Sequence, residues 1–429
     1  MKILIIHYRY SISGGPERYM FNVTNLLKKI GHEVIHFAPI WKDNDYSPYK
    51  DYWPIIKNSK GVFHFNNLLK DLTLKDKLSL FKNSIYNKDV YNSLDLFIKK
   101  EKPDVALLLL FLGKLTPSVI DACYRNNIPI VSRISDFSYI CLNSILHDSK
   151  TICEKCVNGK FLHGVRKKCF RSYTNSFVQY LIRKFFFMNN YHKKIDCFLI
   201  PSENSLSIFS NTKYFRKSKF KLLPSFVNIK AQKIPDDILL KRFNNKKFVY
   251  WGRVSPEKDI ELVIKAYHKL VSIKTDVQLT IIGFNNDNYS DKIKKLLIEL
   301  NLETKITIYP FLKGSELINL MQESSVYIFP SKIYDNLPQS VIESLSYGIP
   351  VIAADIGSLR ELVKNNYNGY LYKCGSLDDL YYKMNKILDN KSKYLLFSNN
   401  CISHVNTNFS EENHAEILNK VLYDVISKK

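Results

Sequence analysis

The sequence predicts an α/β protein built from two Rossmann-like, doubly wound domains that face each other across a cleft. Two observations indicate this class. Short apolar runs alternate with helical patterns along nearly the whole chain, which is typical of parallel sheets covered by helices. The 429 residues, of which 45% are hydrophobic and 24% charged, suffice for two globular domains of ordinary size. Because ligands of such sheets bind at the carboxyl ends of strands, candidate functional residues are expected there.

The first domain is predicted over residues 1–222. Its opening strand is followed by a glycine-containing loop and a helix that stops at Gly31, and later apolar runs add further strands. The predicted elements are the helix Glu17–Ile30 and the strands Lys2–His7, Glu33–Phe37, Val105–Leu110, Ile130–Ile134 and Cys197–Ile200.

The second domain is predicted over residues 223–405, after a linker placed in the proline-containing segment Lys221–Asp237. Residues 406–429 are expected to form a helix that packs back toward the first domain. The predicted strands are Lys247–Tyr250, Gln278–Ile282, Ile306–Tyr309, Val326–Phe329 and Pro350–Ala354. The predicted helices are Asp259–Ser272, Ser290–Leu300, Gly314–Glu323 and Pro338–Tyr347.

The net charge of +23 indicates an anionic partner, which is a nucleic acid, an anionic lipid or a phosphorylated substrate; a lysine-biased composition is the alternative. Nucleic acid is disfavoured because no recognised binding module is present. No window approaches the roughly 18 apolar residues of a membrane span, and the first apolar run is too short for a signal peptide. We therefore expect a cytoplasmic protein with reduced cysteines.

The segment SISGGPER, residues 11–18, follows the first strand and opens the first helix. Gly14 and Gly15 carry no side chain, so backbone amides there can approach an anion, and Pro16 suits a first helical turn. The segment is not a G-x-G-x-x-G dinucleotide fingerprint. An ordinary turn between strand and helix is the alternative.

The segment YDNLPQSVIESLSYGIPVIAAD, residues 334–355, contains a loop, a helix start and the next strand. Pro338 suits the first helical position, and Asn336 is placed to cap the helix. The first amides of this helix would then be available to a phosphate. These amides belong to Gln339, Ser340 and Val341.

Two acids and two bases complete this candidate site. The carboxylate of Glu343 can accept hydrogen bonds from a ribose diol, and Asp335 can do the same for a sugar hydroxyl. Arg253 and Lys258 flank the loop that follows the first strand of the second domain, where they can bind phosphate. Together these residues predict a site for a nucleotide-diphosphate sugar. The alternatives are a cap, solvated side chains and a local pair between Arg253 and Glu257.

The segments GRVSPEKD and DNLPQSVIESLSYGIPVIA resemble the signatures of the retaining glycosyltransferases with the GT-B fold, specifically family four. The segments SGGPERYMFNVTNLLKKIGHEV and IDCFLIPSENSLSIF resemble its first domain. The resemblance implies metal-independent transfer of a sugar, with retention, from a nucleotide-diphosphate donor to a hydroxyl of a saccharide or lipid-linked saccharide. The expected context is surface polysaccharide or glycolipid synthesis.

The resemblance also implies residue roles. Arg253 and Lys258 would bind the donor diphosphate, Glu343 the ribose and Asp335 the transferred sugar. Further donor-binding residues implied by the resemblance are Gly14, Gly15, Asn336, Leu337, Pro338, Gln339, Ser340 and Val341.

Relatives commonly carry His-Asp where this chain has Ser135-Asp136. By the resemblance, Asp136 or His7 would contact the sugar or the acceptor instead. Two other functions stay open on the same fold, a nucleotide-sugar epimerase and a noncatalytic subunit that binds carbohydrate or lipid. The GRVSPEKD loop favours transfer, whereas Ser135 is the only support for the noncatalytic subunit.

A cysteine cluster lies in a loop-like insertion at residues 141–169, with the spacing C-x11-C-x2-C-x12-C. In a reducing compartment this spacing indicates a structural zinc site with four thiolate ligands. The alternative is a set of free thiols, and His147 and His163 are possible replacement ligands. The predicted ligands are Cys141, Cys153, Cys156 and Cys169.

Between Glu154 and Asp196 the chain has no acidic residue, and lysines and arginines alternate with aromatic residues. This composition suits a helix that lies on anionic lipid at the inner face of a membrane, or contact with a lipid-diphosphate acceptor. The alternative is a core helix whose aromatic side packs on the sheet.

Overall fold

The structure is a computed structural model that describes residues 1–12, 14–56, 73–228 and 231–428. The chain divides into two compact units, residues 1–223 together with 414–429, and residues 224–413. The division falls inside the segment Lys221–Asp237, which the sequence predicts as a linker.

The first unit contains a six-stranded parallel sheet in the order β2-β1-β3-β4-β5-β6. Two of its inner strands, Val105–Leu108 and Cys197–Ile200, are continuous apolar runs, as expected where helices cover both faces of a sheet. The strands are β1 Lys2–Ile6, β2 Glu33–Phe37, β3 Val105–Leu108, β4 Ile130–Arg133, β5 Cys197–Ile200 and β6 Phe220–Leu222. The edge strand β6 overlaps the start of the predicted linker; the prediction missed it because a strand of three residues gives too short a pattern.

Helices connect these strands, and the residues at both ends of α1 explain where that helix begins and ends. Pro16 lies in its first turn, the acidic Glu17 faces its positive end, and Gly31 beyond its last turn has a left-handed φ of +89°. Helix α1 therefore begins two residues earlier than predicted. The helices are α1 Gly15–Lys29, α2 Leu74–Ile85, α3 Lys88–Glu101, α4 Ser118–Arg125, α5 Leu162–Arg166, α6 Tyr173–Met188 and α7 Glu203–Ser210.

The second unit contains another six-stranded parallel sheet, in the order β12-β11-β10-β7-β8-β9. The strands are β7 Lys247–Trp251, β8 Gln278–Phe284, β9 Ile306–Pro310, β10 Val326–Phe329, β11 Val351–Ala354 and β12 Gly369–Tyr372. The helices are α8 Asp236–Asn245, α9 Ile260–Val271, α10 Asn288–Glu299, α11 Gly314–Glu323, α12 Gln339–Ser346, α13 Leu359–Leu362, α14 Leu377–Ile387 and α15 Lys391–Asn408. Two parallel sheets flanked by helices confirm the predicted fold class.

The C-terminal helix α16 spans Glu411–Ile426, and from His414 onward it belongs to the first unit. The Tyr19 hydroxyl lies 3.0 Å from Nε2 of His414, and Nε2 of His32 lies 2.8 Å from Oδ1 of Asn419. The buried side of α16 thus packs against the helix that follows the first strand. Within the described residues, no helix is long and apolar enough to span a bilayer.

Candidate functional site

The loop after β7 is shaped by a close approach of two backbones. Gly283 has a φ of +117°, and a Cβ atom at this position would lie 1.9 Å from the carbonyl oxygen of Gly252. The amide of Val254 donates to the Gly283 carbonyl at 3.2 Å. Only glycine fits position 283, so the ends of β7 and β8 fix the backbone on both sides of Arg253.

Arg253 has a fixed backbone and an exposed side chain. The buried hydroxyl of Tyr250 donates to the Arg253 carbonyl at 2.8 Å. The guanidinium pairs with Glu257 at 3.1 Å, and 70% of the Arg253 side chain is exposed. The local pair with Glu257 that the sequence left open is therefore present, in a position that still leaves the guanidinium accessible to a ligand.

Lys258 and Asp335 form a direct ion pair. The ammonium Nζ lies 2.6 Å from Oδ1 of Asp335, and the two side chains are only 12% and 18% exposed. Nζ also lies 3.4 Å from the Ser331 hydroxyl and 4.8 Å from the centre of the Phe329 ring. The second carboxylate oxygen of Asp335 is buried and has no hydrogen-bond partner among the described residues. The structure thus brings together two predicted site residues and leaves one buried acceptor atom available.

The loop that carries Asp335 is held from two sides. The Ser358 hydroxyl donates to the Asp335 carbonyl at 2.5 Å, and the Lys332 amide donates to the Glu257 carbonyl at 2.9 Å. The Lys332 ammonium pairs with Asp259 at 2.8 Å. Burial raises the pKa of Asp259, and this ion pair partly offsets the effect. Sequence reasoning missed Ser331, Lys332 and Ser358, because each acts through a partner distant in the chain.

The start of α12 differs by one residue from the prediction. Pro338 is the N-cap residue and not the first helical residue, since its ψ of 119° is extended; the helix begins at Gln339. Asn336 is therefore not the N-cap residue, and the cap position contributes no side-chain hydrogen bond. The Val341 amide donates to the Pro338 carbonyl at 3.1 Å. The amides of Gln339 and Ser340 come before the first intrahelical acceptor, so they are the ones that can face an anion. Leu337 and Val341 are buried, and contact with a ligand would go through their backbone atoms.

Tyr327 connects this helix start to the loop after β7, a role the sequence analysis did not assign. Its ring stacks on Trp251 with centroids 3.8 Å apart. Its hydroxyl donates to the Trp251 carbonyl at 2.9 Å and lies 2.9 Å from Oγ of Ser340, whose hydroxyl can donate to it. Glu343 is half-buried on α12, one turn beyond Gln339. Burial is the main cause that raises the pKa of Tyr327, and the negative charge of Glu343 adds to the rise.

The glycines predicted in the first unit have different surroundings. Gly14 is extended, with a φ of −173°, and precedes α1. A Cβ atom at Gly14 would lie 3.3 Å from a carboxylate oxygen of Glu17, whereas one at Gly15 would meet nothing within 4 Å. The backbone of Gly15 is therefore open enough for a ligand to approach the helix start.

His7 and Asp136 are both held by their own loops. Nδ1 of His7 lies 2.8 Å from the Arg9 carbonyl and 3.1 Å from the Arg9 amide nitrogen. Burial lowers the pKa of His7 to about 4, and the ring is neutral at physiological pH. Asp136 accepts a hydrogen bond from the Ser138 amide at 2.8 Å, and burial raises its pKa. Neither geometry assigns a sugar contact.

The four cysteines of the insertion are free thiols, two of them buried. Cys153 Sγ lies 3.9 Å from Nε2 of His163, and the Cys141 thiol donates to Asn143 at 2.9 Å. Burial first, and then the charges of neighbouring cysteines of the insertion, raise the pKa of Cys156 to about 12 and that of Cys169 to about 11. In the part of the chain that the structure describes, no group of three or more His, Cys, Asp or Glu residues is arranged to hold a metal ion. The zinc site of four thiolates stays a prediction.

The aromatic residues of the basic segment are divided between the core and the surface. Phe186 and Phe187 on α6 are buried, and Phe187 stacks on Tyr214 with centroids 3.8 Å apart. Other large apolar side chains of the helix are exposed. These are Tyr173 (58%), Phe177 (41%) and Met188 (69%). Helix α6 is thus a core helix that also presents an apolar face to solvent.

The chain is similar in sequence to known glycosyltransferases. Residues 233–403 match the family model described as glycosyl transferases group 1. The chain is 23% identical over 326 residues to an uncharacterized glycosyltransferase of Methanocaldococcus jannaschii, covering 71% of this chain and 72% of that protein. It is 21% identical over 198 residues to the UDP-Gal:alpha-D-GlcNAc-diphosphoundecaprenol alpha-1,3-galactosyltransferase of Escherichia coli. That match covers 46% of this chain and 50% of the enzyme, so this chain spans about half the length of that relative.

Solved structures share the fold over the whole chain. Sucrose-phosphate synthase from Thermosynechococcus elongatus superposes with a TM-score of 0.72 at 15% identity, covering 100% of both chains. At this identity the likeness shows a common GT-B fold and not a common substrate.

Proposed function

We propose that this chain, whose residues 233–403 match the family model of glycosyl transferases group 1, transfers a sugar from a nucleotide-diphosphate donor, with retention. The acceptor is a hydroxyl of a saccharide or lipid-linked saccharide, in surface polysaccharide or glycolipid synthesis. The observation that carries the proposal is the Lys258–Asp335 pair beside the start of α12, because it combines a cation for phosphate with a buried acceptor oxygen for a sugar hydroxyl.

The donor diphosphate is held by three kinds of positive group. The ammonium of Lys258 has three N–H bonds. One donates to Asp335, and the others can point toward a phosphate. Arg253 is exposed enough to swing from Glu257 to a phosphate. The amides at the start of α12, from Gln339 onward, add the positive end of the helix. These groups stabilise the charge that the leaving diphosphate gains in the transition state.

The sugar and the ribose are oriented by carboxylates. The unpartnered oxygen of Asp335 accepts a hydroxyl of the transferred sugar, and Glu343 accepts the ribose hydroxyls. The buried side chains of Leu337 and Val341 anchor the start of α12 in the core. In this assignment Asp335 positions the sugar and does not attack it, since its first oxygen is engaged by Lys258.

The reaction needs no metal and no strong protein base. The bond between the anomeric carbon and the diphosphate oxygen breaks while the acceptor oxygen approaches the same face, through an oxocarbenium-like state. The departing diphosphate oxygen takes the proton of the acceptor hydroxyl as the new glycosidic bond forms. Lys258 and Arg253 hold that oxygen in position throughout.

Three observations support the proposed acceptor class and membrane contact. The Escherichia coli relative is named for a diphosphoundecaprenol-linked acceptor, and this chain carries a net charge of +23. The exposed apolar face of α6, formed by Tyr173, Phe177 and Met188, lies among lysines and arginines. We therefore assign the protein to the cytoplasm, in peripheral contact with the anionic inner face of a membrane.

The test is a panel of nucleotide sugars incubated with the purified full chain and membrane-derived acceptors. Transfer releases free nucleotide and forms a new glycoside; an epimerase would give an isomeric nucleotide sugar, and a noncatalytic subunit would give no turnover. In the active reaction, Lys258→Ala is expected to lower kcat by about 100-fold or more, because one preorganised charge donor is lost.

The matched control is Lys292→Ala, which removes an exposed lysine paired with Glu261 at 2.8 Å on the same unit. This variant is expected to keep the wild-type rate. A folded Lys258→Ala protein with wild-type turnover would overturn the assignment of the donor site.

A further inference from the structure

A group of basic side chains lies in the first unit, and the proposed donor site uses none of them. Arg9 and Lys114 lie in the loops after β1 and β3, and the loop after β2 contacts both loops, at the carboxyl edge of the sheet. The Tyr8 amide donates to the Leu110 carbonyl at 3.0 Å, and the Trp41 indole donates to the Tyr8 carbonyl at 2.7 Å. The Tyr10 carbonyl accepts from the Asp45 amide at 2.7 Å. Both neighbours of Arg9 are therefore fixed, and Arg9 projects from a rigid support.

Arg9 is poorly neutralised for a largely buried guanidinium. Its side chain is 19% exposed, and its ion pair with Asp43 is long at 3.9 Å. Asp43 itself is 59% exposed, so water screens the pair. The Nε atom of Arg9 is buried and has no hydrogen-bond partner among the described residues. A buried guanidinium N–H without an acceptor is costly, and it indicates a site that an acceptor completes.

Two further cations lie in the same region. The ammonium of Lys114, in the loop after β3, lies 5.9 Å from the centre of the Trp41 ring. Arg171 precedes α6, and its neighbour Phe170 lines one small cavity together with Gly113, the neighbour of Lys114. Arg171 has a left-handed φ of +66°, a conformation that loop packing must impose.

Lys114 is close to two other positive charges, those of Arg9 and Arg171. Burial first, and then the positive charges of Arg9 and Arg171, lower the pKa of Lys114 to about 8. The nearby acid Glu17 is instead engaged by the Tyr8 hydroxyl at 2.8 Å. The charges of Arg9 and Arg171 both act on Lys114, so the three cations lie near one another and create a positive potential that attracts an anion.

We propose that Arg9, Lys114 and Arg171 form an anion site in the first unit that binds a phosphoryl group. A phosphoryl group is favoured over a carboxylate, because it carries a charge of about −1.5 to −2 and more acceptor oxygens. The inference rests on the proposed function in one respect: the group is then the phosphate or diphosphate of the acceptor. The site places that end of the acceptor at the carboxyl edge of the first sheet.

The local probe is the reactivity of Lys114 toward an amine-acylating reagent, measured peptide by peptide at pH 8 on the full chain. Only the neutral amine reacts, so the low pKa makes Lys114 react faster than an exposed lysine such as Lys292. Inorganic phosphate in the site raises the pKa of Lys114. A rise of about one unit lowers the neutral fraction at pH 8, and hence the rate, roughly five-fold.

The comparison is made at equal ionic strength with sodium chloride and with acetate. Protection of Lys114 by phosphate alone supports the site, and protection is expected to disappear in Arg171→Gln and Arg9→Gln. The matched control is Arg125→Gln, an exposed arginine over the Tyr91 ring in the same unit, which is expected to keep it. No protection by phosphate, or equal protection by chloride, overturns the proposal, and equal protection by acetate overturns the phosphoryl assignment.

Two further ligands distinguish the source of the group, a short-chain prenyl phosphate and a soluble sugar phosphate. Protection at the lower concentration identifies the lipid-linked or the soluble source, and either result supports the site. The readout does not require turnover. Protection without sugar transfer would reject the proposed function and keep the anion site, whereas sugar transfer without protection would reject the anion site alone.

Discussion

At the scale of single residues, the contact between Lys258 and Asp335 decides how the donor site is understood. The sequence predicts that both residues bind the donor, because each follows the end of a strand. It does not predict their contact, since 77 residues separate them. The contact exists because β10 pairs with β7, with Val326 opposite Phe248, so the loops that follow these two strands lie side by side.

Asp335→Asn separates a sugar-positioning role from a merely structural ion pair. The amide keeps the shape but removes the negative charge, so we expect kcat/KM for the nucleotide sugar to fall about 10- to 100-fold. Affinity for the free nucleoside diphosphate should stay the same or increase, because a negative charge near the phosphates is lost. Steady-state kinetics and calorimetric titration measure the two quantities.

Asp291→Asn, which removes an exposed acid near Lys294, is the matched control for this charge change and should alter neither quantity. Equal losses of nucleotide-sugar and nucleoside-diphosphate affinity would show that Asp335 only supports Lys258. Unchanged kcat/KM in a folded Asp335→Asn protein would remove Asp335 from the site.

At the scale of elements, segments whose ends are marked in the sequence could be predicted with their bounds, whereas two of the edge strands could not. Helix Gly314–Glu323 and strand Val326–Phe329 have the predicted bounds at both ends, because apolar spacing and polar punctuation agree there. Strands β6 and β12 have three and four residues and were missed, since their pairing partners and not their own pattern create them. The shift of Pro338 has a similar cause, because the proline φ fits both the N-cap and the first helical position.

Helix α6 carries the prediction that belongs to this scale, which is binding to an anionic membrane. Its exposed aromatic residues insert at the headgroup level, and nearby cations add about 1 kcal/mol each. We expect co-sedimentation with vesicles that contain anionic lipid and several-fold weaker binding by the Tyr173→Ser/Phe177→Ser protein. Leu396→Ser, which removes an exposed apolar residue (57%) of α15, is the control and should bind normally. Equal binding to neutral and anionic vesicles would contradict the prediction.

At the scale of the whole molecule, buried histidines of the first unit are expected to make the protein less stable in acid. Burial lowers the pKa of three of them, His7, His36 and His192. The pKa is about 4 for His7, about 3 for His36 and about 4 for His192. Each imidazole is therefore neutral in the folded protein and takes up a proton near pH 6.5 in the unfolded chain. Below pH 6.5 the unfolded state binds more protons, so the free energy of unfolding falls as the pH falls toward 4.

His192→Phe isolates one of these contributions. The ring of His192 lies 5.2 Å from that of Phe187 in an aromatic cluster, so phenylalanine suits the position and does not titrate. Between pH 7 and pH 5, we expect the variant to lose about 2 kcal/mol less stability than the wild type. Urea unfolding followed by tryptophan fluorescence measures this in a Trp251→Phe background, because Trp41 and Trp53 both belong to the first unit. Parallel pH dependence in the two proteins would show that His192 titrates normally, and would contradict the neutral, buried imidazole on which the expectation depends.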